Sequence, residues 1–141
     1  MTRIPEFEKA LAGKKVLVTG STGFTGGWAC LWLKSIGAEV RGFSLAPETT
    51  PSLFEAVALN DDVETIIGDI RDYDAIFQAV EAFAPDLVLH LAAQPLVRRS
   101  YREPVSTFAV NAQGTAHVLE AARHGKSARG VVCTTTAKVH K

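Results

Sequence analysis

The chain has 141 residues, which is the size of one domain, since domains usually comprise roughly 100 to 200 residues. Hydrophobic residues make up 47% of it and charged residues 21%, so the composition indicates a packed domain and excludes a disordered or collagen-like chain. Fifteen basic side chains balance fifteen acidic ones, which excludes an overall positive field for nucleic acid or an anionic membrane. We therefore expect a small-molecule partner.

Neither the cysteines nor the hydropathy of the chain points to export. Cys30 and Cys133 lie far apart and have no His or Cys at the spacing of a zinc site, so no metal and no disulfide framework are predicted. Residues 1–9 are charged and no apolar run reaches about 18 residues, so neither a signal peptide nor a membrane span is predicted. We expect a cytoplasmic protein.

Short apolar runs alternate with helical patterns along the whole chain. The runs predict five strands, at residues 15–19, 39–43, 63–67, 86–91 and 130–135. Helices are predicted at 24–36, from the capping box 52–55 that follows Pro51, from Asp72 to Pro85, and from Pro104 to a C-cap at Gly125. This alternation predicts an α/β fold: a Rossmann-type, doubly wound parallel sheet with strand order 3-2-1-4-5, cut after the fifth strand.

Three glycines follow the first predicted strand at a regular spacing. Gly20 permits a tight turn, Gly23 allows backbone to approach a pyrophosphate, and Gly26 allows the next helix to pack closely on the strand. The N-terminus of that helix supplies N–H groups and a positive dipole end that favour negative charge. Because the glycines stand between a strand and a helix, the sequence predicts a dinucleotide site.

The end of the second predicted strand leaves the choice between NAD and NADP open. An acidic residue would accept hydrogen bonds from the adenosine ribose of NAD, but Ser44 stands there. Ser44 could bond a ribose hydroxyl or a 2′-phosphate. Arg41 would favour the phosphate if it faces the site, and alternation along the strand leaves open whether Arg41 is instead an ordinary solvated residue.

Four motifs in order resemble those of the extended short-chain dehydrogenase/reductases that act on nucleotide sugars: TGSTGFTG at 19–26, GDIRD at 68–72, HLAAQ at 90–94 and NAQGT at 111–115. Three further segments, at 44–47, 51–55 and 94–101, narrow the resemblance to the CDP-glucose 4,6-dehydratases. The resemblance covers nearly the whole chain. Since Ser44 is usual in that family, it implies NAD as the cofactor, with NADP not excluded.

The resemblance implies a reaction of three coupled steps. Hydride leaves C4 of the glucose for the nicotinamide, water is eliminated across C5 and C6, and hydride returns to C6. The product would be a 4-keto-6-deoxy sugar nucleotide.

The resemblance also implies a cofactor site. Asp69 and Ile70 would flank the adenine, the loop at 91–94 would line the pyrophosphate and nicotinamide, Asn111 would bond backbone and bend its helix, and Ser100 would lie near the sugar. Two simpler interpretations stay open: Asp69 caps a turn, and the alanines of the loop fill the core. The implied cofactor-binding residues are Gly20, Thr22, Gly23, Phe24, Gly26, Ser44, Asp69, Ile70, Leu91, Ala92, Ala93, Gln94 and Asn111.

The last motif departs from the dehydratase pattern. Thr136 matches the hydroxyl that polarises the C4 oxygen, and Lys138 matches the family lysine. Ala137 stands where the dehydratases have the aspartic acid that helps the C6 hydroxyl leave, and His140 replaces a tyrosine. Alanine cannot donate a proton. Because an alanine at this position resembles the 4-epimerases, a 4-epimerase relative stays an alternative.

The proton-transfer pair of the family, a Tyr with a Lys four residues later, has no match in this chain. Its tyrosines are Tyr73 and Tyr101, which Phe77 and Val105 follow at that distance. We therefore expect residues 1–141 to be the NAD(P)-binding domain, to lack the part that binds the nucleotide sugar, and to catalyse nothing alone. A non-catalytic NAD(P)-binding or interaction module is a further alternative.

An uncovered helix face and sheet edge would promote self-association. The long helix predicted from Pro104 carries one apolar face, and Val131 and Val132 lie on the fifth strand, which would form a sheet edge. The residues of that helix face are Val105, Phe108, Ala112, Ala116, Leu119 and Ala122.

The remaining histidines and tryptophans favour structural interpretations. His90 ends a buried strand and is expected to be a hydrogen-bonded structural residue, whereas His117 and His124 are expected in solvent. Trp28 and Trp32, one helical turn apart, are expected to pack against the sheet or neighbouring helices.

Overall fold

Five strands and eight α-helices follow one another in a computed structural model, which describes residues 6–135 apart from the Asn60 side chain. The strands are β1 Lys15–Thr19, β2 Glu39–Ser44, β3 Glu64–Ile67, β4 Leu87–His90 and β5 Gly130–Cys133. The helices are α1 Glu6–Leu11, α2 Phe24–Ser35, α3 Leu53–Ala56, α4 Leu59–Asp62, α5 Tyr73–Phe83, α6 Val97–Arg102, α7 Pro104–Phe108 and α8 Thr115–Gly125. A π-helical segment, Ala109–Gly114, joins α7 to α8.

The strands form one parallel sheet in the order β3-β2-β1-β4-β5, which confirms the predicted Rossmann-type fold. In the register of the central strands, Thr19 of β1 lies between Phe43 of β2 and His90 of β4. The carboxyl ends of the strands therefore lie together at one edge, which we call the carboxyl edge. In open parallel sheets, ligands bind in the crevice outside this edge.

Alternate residues of β1 pack into two separate cores. Leu17 packs on one face of the sheet with residues of α5 and α8, such as Ile76 and Val118. Val16 and Val18 pack on the other face with residues of α2, α3 and α4. Burial on both faces explains why β1 is a nearly continuous apolar run, because successive residues of this strand face one or the other of two helical layers.

Side-chain caps begin two of the helices, as predicted. Asp72 Oδ1 accepts a hydrogen bond from the Ala75 N–H at 3.1 Å, and Ser52 Oγ accepts one from the Glu55 N–H at 3.2 Å. The prediction for the end of α8 was wrong. Gly125 is its last residue, and Lys126 takes the left-handed conformation with φ +58°.

The helix predicted from Pro104 to Gly125 is not uniform. It begins at Pro104, but the π-helical segment interrupts it, and α6 precedes it where no helix was predicted. Ala122 of the predicted apolar face is buried between α8 and the sheet. The other end of that face is open to solvent, since Val105 is 83% and Phe108 74% exposed.

Both tryptophans of α2 contact aromatic neighbours. Trp32 lies 5.9 Å from Phe7 of α1, between ring centroids, so packing against a neighbouring helix is confirmed for it. Trp28 is 53% exposed and contacts Phe24 of its own helix edge to face, and its packing against the sheet or another helix stays a prediction. None of the helices within residues 6–135 has the length and apolar character to cross a bilayer.

Candidate functional site

The glycine turn between β1 and α2 is closely packed backbone. Gly20 has φ +75°, and a Cβ there would lie 2.8 Å from the Ala92 backbone nitrogen. A Cβ on Gly26 would overlap the Gly20 carbonyl oxygen, so α2 passes this turn only because Gly26 has no side chain. Gly23 is the N-cap of α2 and supplies no side-chain cap, which leaves the first turn of α2 to face the carboxyl edge with backbone N–H groups.

Thr22 and Ser44 join the glycine turn to the end of β2. Thr22 Oγ1 donates to the Leu45 carbonyl at 2.7 Å and also lies 2.7 Å from Ser44 Oγ. Because a hydroxyl has one hydrogen, Ser44 must be the donor in the bond between the two hydroxyls. Ser44 Oγ accepts in turn from the Thr22 N–H at 3.4 Å, and one lone pair remains on it.

Arg41 lies away from the carboxyl edge. Its guanidinium forms an ion pair with Glu64 at 2.6 Å and lies 4.7 Å from the ring centroid of Phe83, which Lys15 at the start of β1 also contacts. The two open alternatives for Arg41 are thus both replaced. It neither faces Ser44 nor is an ordinary solvated residue, because its side chain is only 24% exposed and lies against Phe83 of α5.

Asp69 follows β3 and is held by a single neighbour. The Arg71 guanidinium contacts both carboxylate oxygens at 2.6 to 3.1 Å, and the Arg71 backbone N–H donates to Oδ1 at 2.9 Å. This pairing lowers the pKa of Asp69 below its usual range, chiefly through the side-chain hydrogen bonds of Arg71. Asp69 therefore shapes the turn after β3, and its role toward adenine stays a prediction.

The side chain of Ile70 belongs to the core. It packs against Gly114, where a Cβ would lie 2.6 Å from Ile70 Cδ1. Its carbonyl accepts a hydrogen bond from His117 Nδ1 at 2.9 Å, so the expectation that His117 is solvated was wrong. Helix α8 brings the imidazole over the loop after β3. His124 is exposed, as expected.

Asn111 clamps the loop that follows β4. Its Oδ1 accepts from the Gln94 N–H at 2.8 Å, and its Nδ2 donates to the Gln94 carbonyl at 3.1 Å. Asn111 lies in the π-helical segment, where an extra residue per turn widens the helix, so the predicted backbone-bonding and irregular helix are both observed. Ala93 of the loop is exposed and does not fill the core, while Ala92 packs against the core.

His90 at the end of β4 is a buried polar residue whose hydrogen-bond partner Thr19 bonds the backbone of the loop. It is 3% exposed, its Nδ1 lies 2.6 Å from Thr19 Oγ1, and its Nε2 lies 3.0 Å from Thr115 Oγ1. Burial lowers the pKa of His90 from its usual value. The expectation of a hydrogen-bonded structural residue is met. Thr19 and Thr115 were not predicted, because only the strand register and the helix packing bring them to the imidazole.

Ser100 makes only a local contact, and the residues of the last motif lie beyond the part of the chain that the structure describes. Ser100 Oγ in α6 donates to the Val97 carbonyl at 2.6 Å, so its proton is used within its own helix. Thr136, Ala137 and Lys138 lie outside the described residues, as does His140. Within residues 6–135, no cluster of His, Cys, Asp and Glu could hold a metal ion.

Comparison with known proteins finds relatives of this chain among sugar-nucleotide enzymes. The family model described as GDP-mannose 4,6 dehydratase matches residues 17–139. A CDP-glucose 4,6-dehydratase of Salmonella typhimurium is 48% identical over 128 residues, which are 91% of this chain and 36% of the relative. The chain thus spans about a third of the length of that relative.

Two solved structures share the fold. The UDP-glucose 4-epimerase of Stenotrophomonas maltophila, solved with NAD and formylated UDP-arabinopyranose, is 28% identical with a TM-score of 0.77 over 89% of this chain and 38% of its own. The UDP-glucose 4-epimerase of Thermus thermophilus, solved with NAD, is 33% identical with a TM-score of 0.70 over 80% of this chain and 35% of its own.

Proposed function

The chain belongs to the GDP-mannose 4,6-dehydratase family, within the extended short-chain dehydrogenase/reductases, and we propose that its 141 residues are the dinucleotide-binding part of a nucleotide-sugar 4,6-dehydratase. The observation that carries this proposal is the glycine turn packed against the loop after β4 at the carboxyl edge. Both segments present backbone at a place where parallel sheets bind nucleotides.

The substrate proposed is CDP-glucose. Its support is the 48% identity to a CDP-glucose 4,6-dehydratase over most of the chain. A bound nicotinamide would take up hydride from C4 and return it to C6 after water leaves across C5 and C6. By resemblance, Thr136 would polarise the C4 oxygen beside Lys138, while the remaining length of the relatives would supply the sugar-nucleotide site and the tyrosine base.

The cofactor proposed is NAD. The hydrogen bonds that Ser44 already makes support this proposal. Ser44 donates its hydrogen to Thr22 and keeps one lone pair, so it can accept a further hydrogen bond but not donate one. A ribose hydroxyl is a donor and suits this oxygen, whereas a 2′-phosphate offers only acceptors and negative charge. Arg41, the basic residue of β2, is engaged by Glu64 and Phe83.

Calorimetric titration of the folded chain with NAD and NADP tests the cofactor proposal. We expect saturable binding of NAD and at least about tenfold weaker binding of NADP, the equivalent of about 1.4 kcal/mol. Ser44→Ala should reduce the difference between the affinities for NAD and NADP, because the acceptor for the ribose hydroxyl is lost. Ser35→Ala, which removes an exposed hydroxyl bonded to the Trp32 carbonyl, is the matched control. If neither dinucleotide binds saturably to the folded chain, the cofactor proposal fails.

A hybrid protein tests the reaction. In it, this chain replaces the matched region of the Salmonella dehydratase, and the products from CDP-glucose are identified. We expect slow formation of the 4-keto-6-deoxy sugar nucleotide, and Ala137→Asp should raise the rate by about 10²-fold or more, as restored general acids do. If neither the hybrid nor its Ala137→Asp variant forms the 4-keto product, the dehydratase proposal is contradicted.

A 4-epimerase relative is the second candidate function. Ala137 favours it by resemblance, and the two solved UDP-glucose 4-epimerases share the fold of this chain. The same hybrid distinguishes the candidates, because an epimerase would yield the C4 epimer of the sugar without loss of water.

We also propose that the chain self-associates through the exposed apolar face of α7 and α8. Val105 and Phe108 are exposed there, and such apolar patches on soluble domains mark contact surfaces. Sedimentation should show a concentration-dependent dimer that Phe108→Glu dissociates. Ile67→Glu, at an exposed apolar residue of the opposite sheet edge, should leave the dimer unchanged. A monodisperse monomer at high concentration would contradict self-association.

A further inference from the structure

We propose that His90 is a positioning residue: its Nε2–H tautomer sets the direction of a buried hydrogen-bond chain that holds the 91–94 loop in place for a dinucleotide. The chain of bonds runs from the backbone of that loop through Thr19, His90 and Thr115 to the carbonyl of Asn111. Its effect on ligand binding rests on the proposed function, whereas its direction does not.

The direction of the bonds is determined at the helix end. Thr115 Oγ1 lies 2.8 Å from the Asn111 carbonyl oxygen, which can only accept. The single hydroxyl hydrogen of Thr115 is therefore used in that bond. Since His90 Nε2 lies 3.0 Å from the same Thr115 oxygen, the imidazole must donate there, and Nε2 must carry the hydrogen.

The strand end agrees with this tautomer. With its hydrogen on Nε2, neutral His90 has a bare Nδ1, which accepts the hydroxyl hydrogen of Thr19 at 2.6 Å. Both lone pairs of Thr19 Oγ1 then remain for the N–H groups of Leu91 and Ala92, each at 3.2 Å. The Leu91 N–H is shared with the Thr19 carbonyl at 3.2 Å, so Ala92 depends most on the hydroxyl.

The opposite tautomer fails at both ends. A hydrogen on Nδ1 would bring a third donor to the Thr19 oxygen and leave the Thr19 hydroxyl hydrogen without its acceptor. A bare Nε2 would face the Thr115 oxygen, whose hydrogen is already used, so two acceptors would meet at 3.0 Å. A charged imidazolium has the first of these faults and in addition the cost of burial. Of the three protonation forms, only the neutral Nε2–H form gives every donor and acceptor of this hydrogen-bond chain a partner.

This chain of bonds reaches the candidate site from two sides. Thr19 directly precedes Gly20, whose Cα lies so close to the loop that an added Cβ would be 2.8 Å from the Ala92 nitrogen. At the helix end, Thr115 bonds the carbonyl of Asn111 in the π-helical segment, and Asn111 in turn bonds the backbone of Gln94. Both clamps on the 91–94 loop therefore meet at His90, and a change in its hydrogen pattern displaces the loop.

Nitrogen NMR of the imidazole tests the tautomer without any ligand. At neutral pH, we expect the His90 ring of the 15N-labelled chain to show a protonated Nε2 and an unprotonated Nδ1, with slow exchange of the Nε2 hydrogen. An Nδ1–H ring, or one averaged between both tautomers as in free histidine, would overturn the proposal.

Thr115→Val tests the positioning role. The substitution leaves the Nε2–H of His90 without an acceptor, so we expect the single tautomer to be lost and the affinity for NAD to fall by about tenfold. Thr115→Ser keeps the hydroxyl and should restore both. Val118→Ala, in the same helix and fully buried, should lower stability by cavity formation and leave the tautomer and the affinity of the folded protein unchanged.

The outcomes separate this inference from the proposed function. If wild-type chain binds no dinucleotide but shows the Nε2–H ring, the dinucleotide proposal fails and the direction of the hydrogen bonds stands. If wild-type chain binds NAD and Thr115→Val binds it equally well despite an altered ring, His90 does not position the loop. Should Thr115→Val fail to fold, the wild-type ring spectrum still decides the direction of the bonds, and Thr115→Ala, which removes the same hydroxyl without adding a methyl group, takes its place in the affinity measurement.

Discussion

The carboxyl edge has two halves that are held together by different interactions. At β1 and β4, Thr19 and His90 are buried and neutral, and the donor and acceptor of each of their hydrogen bonds are assigned. At β3, Asp69 and Arg71 form a charged pair at the surface, with the Arg71 side chain 44% exposed. Buried hydrogen bonds between uncharged groups hold the backbone in one place, because water cannot replace a lost partner. In an exposed ion pair, water can replace either partner.

The largest effect should come from the glycine that packs α2 onto the turn. Gly26→Ala would drive a Cβ into the Gly20 carbonyl oxygen, so α2 would have to move away from the turn. We expect loss of measurable NAD binding and a clear fall in the free energy of unfolding. Gly130→Ala is the matched control, because its Cβ would meet Leu87 at an ordinary 3.4 Å. Equal behaviour of the two variants would contradict the packing described for the turn.

Removing the Thr19 hydroxyl should break the β1–β4 half. Thr19→Val keeps the shape but leaves the Ala92 N–H and the His90 Nδ1 without a partner, at a cost of about 2 to 3 kcal/mol in the free energy of unfolding. Denaturant unfolding measures this. Thr65→Val, whose hydroxyl makes a 3.5 Å contact with Ser21, should cost much less, and a similar cost at both sites would count against the buried chain.

Acid should weaken the β1–β4 half before the β3 half. Burial lowers the pKa of His90 in the folded state, so the unfolded chain binds more protons once the pH falls below about 6.5. Stability should therefore decline from that pH downward, by no more than about 1.4 kcal/mol per pH unit from this group. The pKa of Asp69 is lowered by Arg71, so its contribution is lost only as the pH falls below the usual range of a carboxyl group.

Urea unfolding between about pH 7.5 and about pH 5.5, on either side of the ordinary histidine pKa, checks this order. His90→Asn should remove most of the decline, because the amide does not titrate. His124→Asn, at an exposed histidine of α8, should leave the decline in place. A decline that persists unchanged in His90→Asn would refute the assignment to the buried imidazole.

The smallest effect on stability should follow substitution at β3. Asp69→Asn breaks an ion pair with an exposed arginine, so we expect a cost below about 1 kcal/mol in the free energy of unfolding. If Asp69 accepts from the adenine amino group, the affinity for NAD should nevertheless fall about tenfold. Glu120→Gln, which breaks the exposed pair with Arg123, is the matched control and should alter neither quantity by much.

The sheet could be predicted because its information is local. The apolar runs, the glycine spacing and the caps at Ser52 and Asp72 each depend on residues within a few positions, and the parallel order follows from the alternation of strands and helices. The end of α8 was missed since Gly125 is selected by packing: a Cβ there would lie 2.7 Å from Val80 Cγ1. Lys126 then takes the left-handed position although it is not glycine.

The hydrogen-bond chain of the site could not be predicted. His90 is separated by 71 positions from Thr19 and by 25 from Thr115, and only the register of β1 with β4 and the π-helical segment bring them together. The strand-ending threonine directly before a glycine turn was the available signal. The role of Arg41 was undecided for the same reason, since its partners Glu64 and Phe83 lie on other elements.

Mapping the backbone amides that respond to NAD tests the central claim most directly. In a titration of the 15N-labelled chain followed by NMR, the account predicts the largest shifts at residues 20–26 and 91–94, with small shifts at the opposite end of the sheet, near Lys15 and Glu39. Saturable shifts centred elsewhere, or no shifts in a folded sample, would contradict the assignment of the carboxyl edge as a dinucleotide site.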